Sequence, residues 1–230
     1  MHDFMPVLKA HDEDHRQRLV RRVVAVRGSA QISMRMAARP DYGLAKPKLD
    51  RIDGGVLVVD GDVSLALSTT VDLEIDGDDV TADLELSAGG SALFVLEVLR
   101  PGEERRAFES GDIDELFDAT AAFWRIWLGQ STYTGRWRER VHRSALTLKL
   151  LCHEPSGGIV ASPTTSLPEH LGGARNWDYR YVWIRDAAFS IYALLRLGFT
   201  DEAAAFVRWL SERLARTDDS DDELGPLRVL

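Results

Sequence analysis

The sequence predicts a multi-domain chain of β-then-α class, in which a partial antiparallel β-sandwich is followed by a set of helices. Two observations favour this class. Apolar and polar residues alternate over much of the first hundred positions, and the apolar spacing changes to that of helices near residue 110. A third observation, a long loop that ends in mixed aromatic and charged residues, points to the function.

The strands are predicted from alternation with a period of two. The stretch "VSLALSTTVDLEI", residues 63–75, alternates throughout, and its length predicts a bend or turn near Thr69 and Thr70. The turn signals "DGG", "DGD", "DGDD" and "AGG" separate the strand candidates, and this spacing favours an antiparallel sandwich. The other candidates are "RLVRRVVAVRG", "QISMRMAAR", "VTADLELS" and "SALFVLEVLR".

The first two helices are predicted from apolar residues at helical spacing. One covers "GDIDELFDATAAFWRIWLGQ", in which Asp112 followed by Glu115 resembles a capping box. The next extends from about Trp137 to Cys152. Its predicted inward face carries Val141, Ala145, Leu148 and Cys152.

Two later helices follow the long loop. The third helix is predicted to begin near Arg185 or Asp186 and to end at Gly198, a residue type typical of helix C-termini. Because it is apolar on nearly all sides, we expect it to be buried. The fourth is predicted over residues 201–216. Its predicted inward residues are Ala203, Phe206, Val207, Leu210 and Leu214.

Composition excludes several classes of function. A formal net charge of −9 argues against nucleic acid as the main partner, because phosphate binding needs a basic surface. No apolar run has the length of a membrane span, and the N-terminal residues lack the pattern of a signal peptide, so a cytoplasmic location is expected. The six histidines show no metal-ligand spacing, and no cofactor is implied. The single cysteine, Cys152, is expected to be an inert thiol in an apolar helix.

The loop "HEPSGGIVASPTTSLPEHLGGARN" and the segment "RNWDYRYVWIRD" after it carry the chemical signal. A structureless stretch of about 24 residues inside a domain is usually functional or disordered. Aromatic rings pack against the C–H faces of a sugar, while Arg donates and Asp accepts hydrogen bonds to its hydroxyls. The alternative is structural, an Arg–Asp pair at a helix start with aromatic residues in the core.

The string "PTTSLPE…NWDYRYVWIRD" resembles the start of the catalytic domain of glycoside hydrolase family 15, which includes glucoamylases, glucodextranases and bacterial trehalases. The resemblance implies a partial N-terminal sandwich over residues 1–105, a linker helix over residues 106–135, and the first helices of a six-plus-six (α/α) barrel over residues 136–230. It further implies an α-glucoside or oligosaccharide as the substrate.

The resemblance also implies roles for individual residues. Arg185 and Asp186 match the pair that holds the hydroxyls of the terminal glucose. Tyr179 matches the aromatic residue beside the developing oxocarbenium ion, and Trp183 matches the ring that lines the subsite and supports the general acid. Weaker candidates from the same motif are Asn176 and Trp177.

The carboxylates that would break the bond are not matched in this sequence. The family inverts configuration with a general acid and a general base, and both are expected beyond Leu230. Neither Glu169 nor Glu202 occupies a matching position. We therefore expect an internal piece of a longer enzyme, inactive and poorly soluble by itself. Trehalose and α-1,4-glucan ends remain alternative substrates, and a non-catalytic sugar-binding remnant or an inactive structural fragment are alternative functions.

Overall fold

The structure is a computed structural model that describes residues 1–7, 16–60, 63–164 and 170–217. Within these ranges, antiparallel strands precede helices, which confirms the predicted β-then-α order. The chain divides into two compact units, Met1–Phe123 and Trp124–Leu230, called here the sandwich unit and the helical unit. The strands are β1 (His2–Phe4), β2 (Arg18–Val24), β3 (Ser29–Met36), β4 (Lys48–Ile52), β5 (Gly55–Asp60), β6 (Val63–Thr69), β7 (Glu74–Asp76), β8 (Asp79–Ser87) and β9 (Ser91–Leu99). The helices are α1 (Ser110–Gly129), α2 (Arg138–Leu150), α3 (Ile184–Leu197) and α4 (Thr200–Thr217).

Two antiparallel sheets form the sandwich unit. One has the order β1-β2-β9-β6-β5-β4, and the other has the order β3-β8-β7. The predicted bend is confirmed, since β6 ends at Thr69 in the first sheet and β7 begins at Glu74 in the second. The strands β4 and β5 were not predicted individually. An apolar cluster joins the facing sides of the sheets and includes Val56, Leu67, Val80, Leu86 and Phe94.

The first part of α1 packs against the other side of the larger sheet. Ile113 is almost fully buried there, in contact with Val20 and Val95. The capping-box prediction for Asp112 and Glu115 was wrong in register. The helix begins at Ser110, so Asp112 lies in its first turn, where its Oδ2 accepts a hydrogen bond of 2.9 Å from the backbone N–H of Glu109.

A buried ion pair lies within the larger sheet. Arg18 of β2 and Glu97 of β9 are direct cross-strand neighbours, and Arg18 Nε donates to Glu97 Oε1 over 2.7 Å. Glu97 is fully buried and Arg18 is 3% exposed. The backbone N–H of Arg106 donates to the second oxygen of Glu97 over 3.3 Å, and the Arg18 guanidinium lies 5.0 Å from the Phe108 ring centre. The segment that leads into α1 is therefore attached to the sheet through charged contacts.

The helical unit is held by two apolar clusters and one buried carboxylate. Glu202, at the start of α4, accepts hydrogen bonds of 2.8 Å from Trp127 Nε1 and from Lys149 Nζ through the same oxygen, Oε1. These contacts join α4 to α1 and α2. Trp127 also stacks on Phe199 with ring centres 4.0 Å apart. Cys152 is half-buried, and burial raises the pKa of its thiol to about 11, so it stays protonated at neutral pH.

Two burial predictions for the later helices were wrong. One side of α3 is open to solvent, with Phe189 71% and Tyr192 63% exposed, while its other side packs mainly against α2 and α4. On α4, Val207 and Leu214 are exposed instead of inward. Ala203 and Phe206 are buried as predicted, and Glu202 and Trp209 are buried in addition, so the buried stripe is rotated relative to the predicted one. The predicted C-terminal glycine is confirmed, since Gly198 has a φ of 95° after α3.

The described helices include none that is long and apolar enough to cross a membrane.

Candidate functional site

The loop after α2 begins with a closed turn. Cys152 and Ile159 form an isolated antiparallel bridge, and the backbone N–H of His153 donates to Gly158 O over 2.8 Å. Gly157 has a φ of 83° and approaches α4 so closely that a Cβ there would lie 2.5 Å from the carbonyl oxygen of Ala205. The turn therefore depends on glycine for its backbone angle and for its contact with α4.

Replacing Gly157 with alanine is expected to destabilise the helical unit by about 2 kcal/mol, because alanine is strained at positive φ and would collide with backbone atoms. Urea unfolding followed by tryptophan fluorescence measures the change. Gly172 also has a positive φ but open space around its Cβ position, so Gly172→Ala is the control for strain alone. Equal losses of unfolding free energy in Gly157→Ala and Gly172→Ala would contradict the role given to the α4 contact.

The next part of the loop is attached to the aromatic segment through its backbone. The N–H of Ala161 donates to Tyr181 O over 3.2 Å, and the N–H of Ser162 donates to Tyr179 O over 2.8 Å. These two bonds pair residues 161–162 with residues 179–181, although 16 or more positions separate them in the sequence. Residues 161–162 of the long loop therefore support the aromatic segment that follows the loop.

Three aromatic residues of the motif are in contact. Tyr179 and Trp183 stack with ring centres 5.3 Å apart and an angle of 15° between the planes. Trp177 meets Trp183 edge-on, with centres 6.3 Å apart. Trp183 is only partly buried, and its Nε1 donates to the backbone oxygen of Asp178 over 3.3 Å. The structure therefore brings Tyr179, Trp183 and the weaker candidate Trp177 into one ring cluster, while Asn176 lies exposed beside it in sequence.

The charged candidates lie in the first turn of α3, directly after Trp183. Arg185 Nη2 is 3.6 Å from Asp186 Oδ2, and the Arg185 side chain is 74% exposed. Asp186 Oδ2 is buried and accepts no hydrogen bond from the described residues. A carboxylate at this position is favoured by the helix dipole, but its buried oxygen still lacks a donor.

A second charged pair closes the turn before α3. Asp178 Oδ1 accepts from the backbone N–H of Arg180 over 2.9 Å, and Asp178 Oδ2 accepts from Arg180 Nη2 over 2.7 Å. The Arg180 side chain holds the pKa of the Asp178 carboxyl below its usual value, with a further contribution from the backbone bond. The sequence interpretation had assigned no contact to Asp178. The D-x-R spacing, in which an Asp side chain reaches the N–H two residues later, is the signal that could have found it.

Within the described residues, no group of three His, Cys, Asp or Glu side chains is arranged to hold a metal ion. Glu169, which the sequence interpretation declined as a catalytic residue, lies outside the described residues. The site therefore consists of rings, one arginine with an adjoining carboxylate, and hydrogen-bonded backbone.

Comparison with known proteins gives two family matches. Residues 2–124 match the family "Trehalase-like, N-terminal", and residues 135–220 match "Glycosyl hydrolases family 15". A trehalase from Thermoplasma acidophilum is 36% identical, with 79% of this chain and 32% of the relative covered. A trehalase from Mycobacterium tuberculosis is 30% identical, with 95% of this chain and 33% of the relative covered. A trehalase from Mycolicibacterium smegmatis is 33% identical, with 83% and 27% covered.

The chain spans about a third of the length of the curated relatives it matches. All candidate site residues lie inside the segment from 135 to 220.

Proposed function

The chain belongs to the trehalase-like, N-terminal family and continues into a family 15 glycosyl hydrolase segment, and from this premise we propose that it binds the terminal glucose of an α-glucoside. In the intact enzyme, the reaction is hydrolysis of the terminal α-glucosidic bond. Trehalose is the favoured substrate because the relatives described above are trehalases. The end of an α-1,4-glucan is the alternative.

The observation that carries this proposal is the arrangement at the start of α3. A buried oxygen of Asp186 without a donor lies beside the exposed Arg185, directly after the Tyr179–Trp183 stack. A sugar hydroxyl supplies the missing donor, while Arg185 donates to a neighbouring hydroxyl. The partly exposed rings cover an apolar face of the sugar. We propose that Trp177 also lines the sugar site and that Asn176 lies at its edge.

In the proposed reaction, this segment binds the substrate, and residues of other segments hydrolyse the glycosidic bond. One carboxylic acid protonates the leaving oxygen, and one carboxylate activates water on the opposite face of the ring, which inverts the configuration. Tyr179 stabilises the developing positive charge on the sugar ring, and Trp183 supports the general acid. We propose that both carboxylates lie in the part of the parent enzyme that corresponds to the unmatched two thirds of the relatives' length.

We further propose the division of the chain that the resemblance implies. Residues 1–105 form part of a sandwich, residues 106–135 a linker helix, and residues 136–230 the beginning of an (α/α) barrel. The exposed side of α3, with Phe189 and Tyr192, supports the barrel proposal, since an apolar face of this size is what an inner barrel helix buries against further helices.

Isothermal titration of the 230-residue chain with trehalose and with maltose tests the binding proposal. Replacing Arg185 with glutamine is expected to weaken binding about tenfold or more, because a charge-assisted hydrogen bond is lost. Arg196→Gln, which removes another exposed guanidinium from α3, is the matched control and is expected to bind like the unmodified chain. Equal affinity in the two variants would show that Arg185 does not hold the sugar.

Glucose release separates binding from catalysis. We expect no glucose from trehalose or maltose with the purified 230-residue chain, because the acid and base are supplied elsewhere. Release of glucose by this chain would refute the proposed division of labour. Binding without activity even in a chain of the relatives' full length would favour the non-catalytic sugar-binding alternative.

A further inference from the structure

We propose that Asp178 and Arg180 are positioning residues, which fix the Tyr179–Trp183 ring stack without contacting the sugar. The inference rests on the proposed function only in taking that stack as the sugar-binding surface. It assigns the two arginines of the motif to different tasks: Arg180 shapes the site and Arg185 binds the ligand.

The Asp178 carboxylate binds both the side chain and the backbone N–H of Arg180 across one turn. Besides the bonds at 2.9 and 2.7 Å, Arg180 Nε lies 3.0 Å from Oδ1 and 3.2 Å from Oδ2 of Asp178. Both carboxylate oxygens are thus engaged by the guanidinium, and one of them also holds the backbone N–H of Arg180. A guanidinium that contacts both carboxylate oxygens fixes the relative orientation of the two side chains as well as their distance. A lysine ammonium would fix the distance alone.

The same turn carries the ring that stacks. Tyr179 lies between the two paired residues, so its backbone angles are restricted on both sides. Its carbonyl accepts the N–H of Ser162, and the carbonyl of Asp178 accepts the indole N–H of Trp183. The backbone at 178 and 179 is therefore held from three directions, and the Tyr179 ring is presented to Trp183 in one orientation.

The two arginines differ in how their donors are used. Arg180 directs Nε and Nη2 into Asp178, and its side chain is 52% exposed. Arg185 lies 3.6 Å from Asp186, beyond hydrogen-bond length, and its side chain is 74% exposed. Donors that already serve a carboxylate add little affinity for a new ligand, because each new hydrogen bond replaces an existing one. The geometry therefore favours Arg185 for binding and Arg180 for support.

The ring stack can be measured without a ligand. Carbon-13 labelling of the five tyrosines, with Tyr179→Phe for assignment, reports the upfield ring-current shift that stacking on Trp183 produces. We expect this shift to be largely lost in Asp178→Ala and in Arg180→Ala, and to persist in Arg196→Gln. Far-UV circular dichroism verifies that each variant keeps its helices. A Tyr179 shift that persists in both folded variants of the pair would overturn the inference.

Trehalose titration of the same variants distinguishes positioning from direct contact. Each single replacement is expected to weaken binding about fivefold, and the double replacement no further, because either change already opens the turn. Losses that multiply in the double variant would show that each side chain contacts the sugar and would overturn the inference. If the unmodified chain binds no trehalose while the Tyr179 shift still depends on the pair, the proposed function fails and the positioning role stands.

Discussion

Replacing Glu97 with leucine is expected to lower the free energy of unfolding of the sandwich unit by about 4 kcal/mol. Glu97 is fully buried, and its loss removes the carboxylate that lies 2.7 Å from the Arg18 guanidinium, at a site where Arg18 is 3% exposed. The backbone N–H of Arg106 also loses its acceptor. Removing one partner of a buried ion pair is strongly destabilising, because the remaining charge stays buried after its carboxylate is gone.

Hydrogen exchange of the β2 and β9 amides measures this loss, because exchange from central strands reports global opening. Tryptophan fluorescence does not report unfolding of the sandwich unit, since all six tryptophans lie in the helical unit. The double variant Glu97→Leu with Arg18→Met is the informative control. Removing both charges is expected to cost less than half as much as removing Glu97 alone. A double variant as unstable as the single one would show that packing, not the deleted carboxylate charge, causes the loss of stability.

Replacing Glu202 with glutamine is expected to destabilise the helical unit by about 3 kcal/mol at neutral pH, because Lys149 loses its buried counter-charge. Burial by itself would raise the pKa of Glu202, but the hydrogen bonds from Lys149 and Trp127 outweigh burial and place it below its usual value. A lowered pKa in the folded state stabilises the fold above the pKa of the unfolded chain. The contribution is lost as pH falls through the folded value.

Urea unfolding followed by tryptophan fluorescence isolates the helical unit, which holds every tryptophan of the chain. The unmodified chain and Glu202→Gln should differ fully in free energy of unfolding above about pH 5.5. This difference should shrink below pH 4.5, the ordinary pKa of a glutamate. Glu212→Gln changes an exposed glutamate on the same helix and is expected to have little effect. A pH-independent difference would contradict the role of the Glu202 charge.

Local patterns predicted most of the regular structure. The alternation in residues 63–75 and 80–86 corresponds to β6, β7 and β8, and the two apolar periods near residues 111–130 and 137–152 correspond to α1 and α2. Gly198 was correctly predicted as a C-terminal glycine because only glycine takes its positive φ without strain. The family resemblance carried by the "NWDYRYVWIRD" motif is confirmed by the two family matches.

Predictions of burial were less successful, because a helix sequence does not say how many neighbours the helix has. The apolar residues of α3 predicted burial on all sides, yet Phe189 and Tyr192 face solvent. On α4, the buried stripe includes the charged Glu202 and excludes Val207, since the carboxylate finds Lys149 and Trp127 as partners. The substrate roles of Tyr179 and Arg185 remain predictions.

The sequence by itself determined the order of the elements, the family and the residues of the candidate site, because periodicity and motif are properties of neighbouring positions. Only the tertiary structure decided which polar groups are paired and which faces are covered. The bonds from residues 161–162 to residues 179–181, and the pairing of Arg18 with Glu97, join positions far apart in the chain. Such contacts depend on where the fold places their partners, and no local pattern encodes that distance.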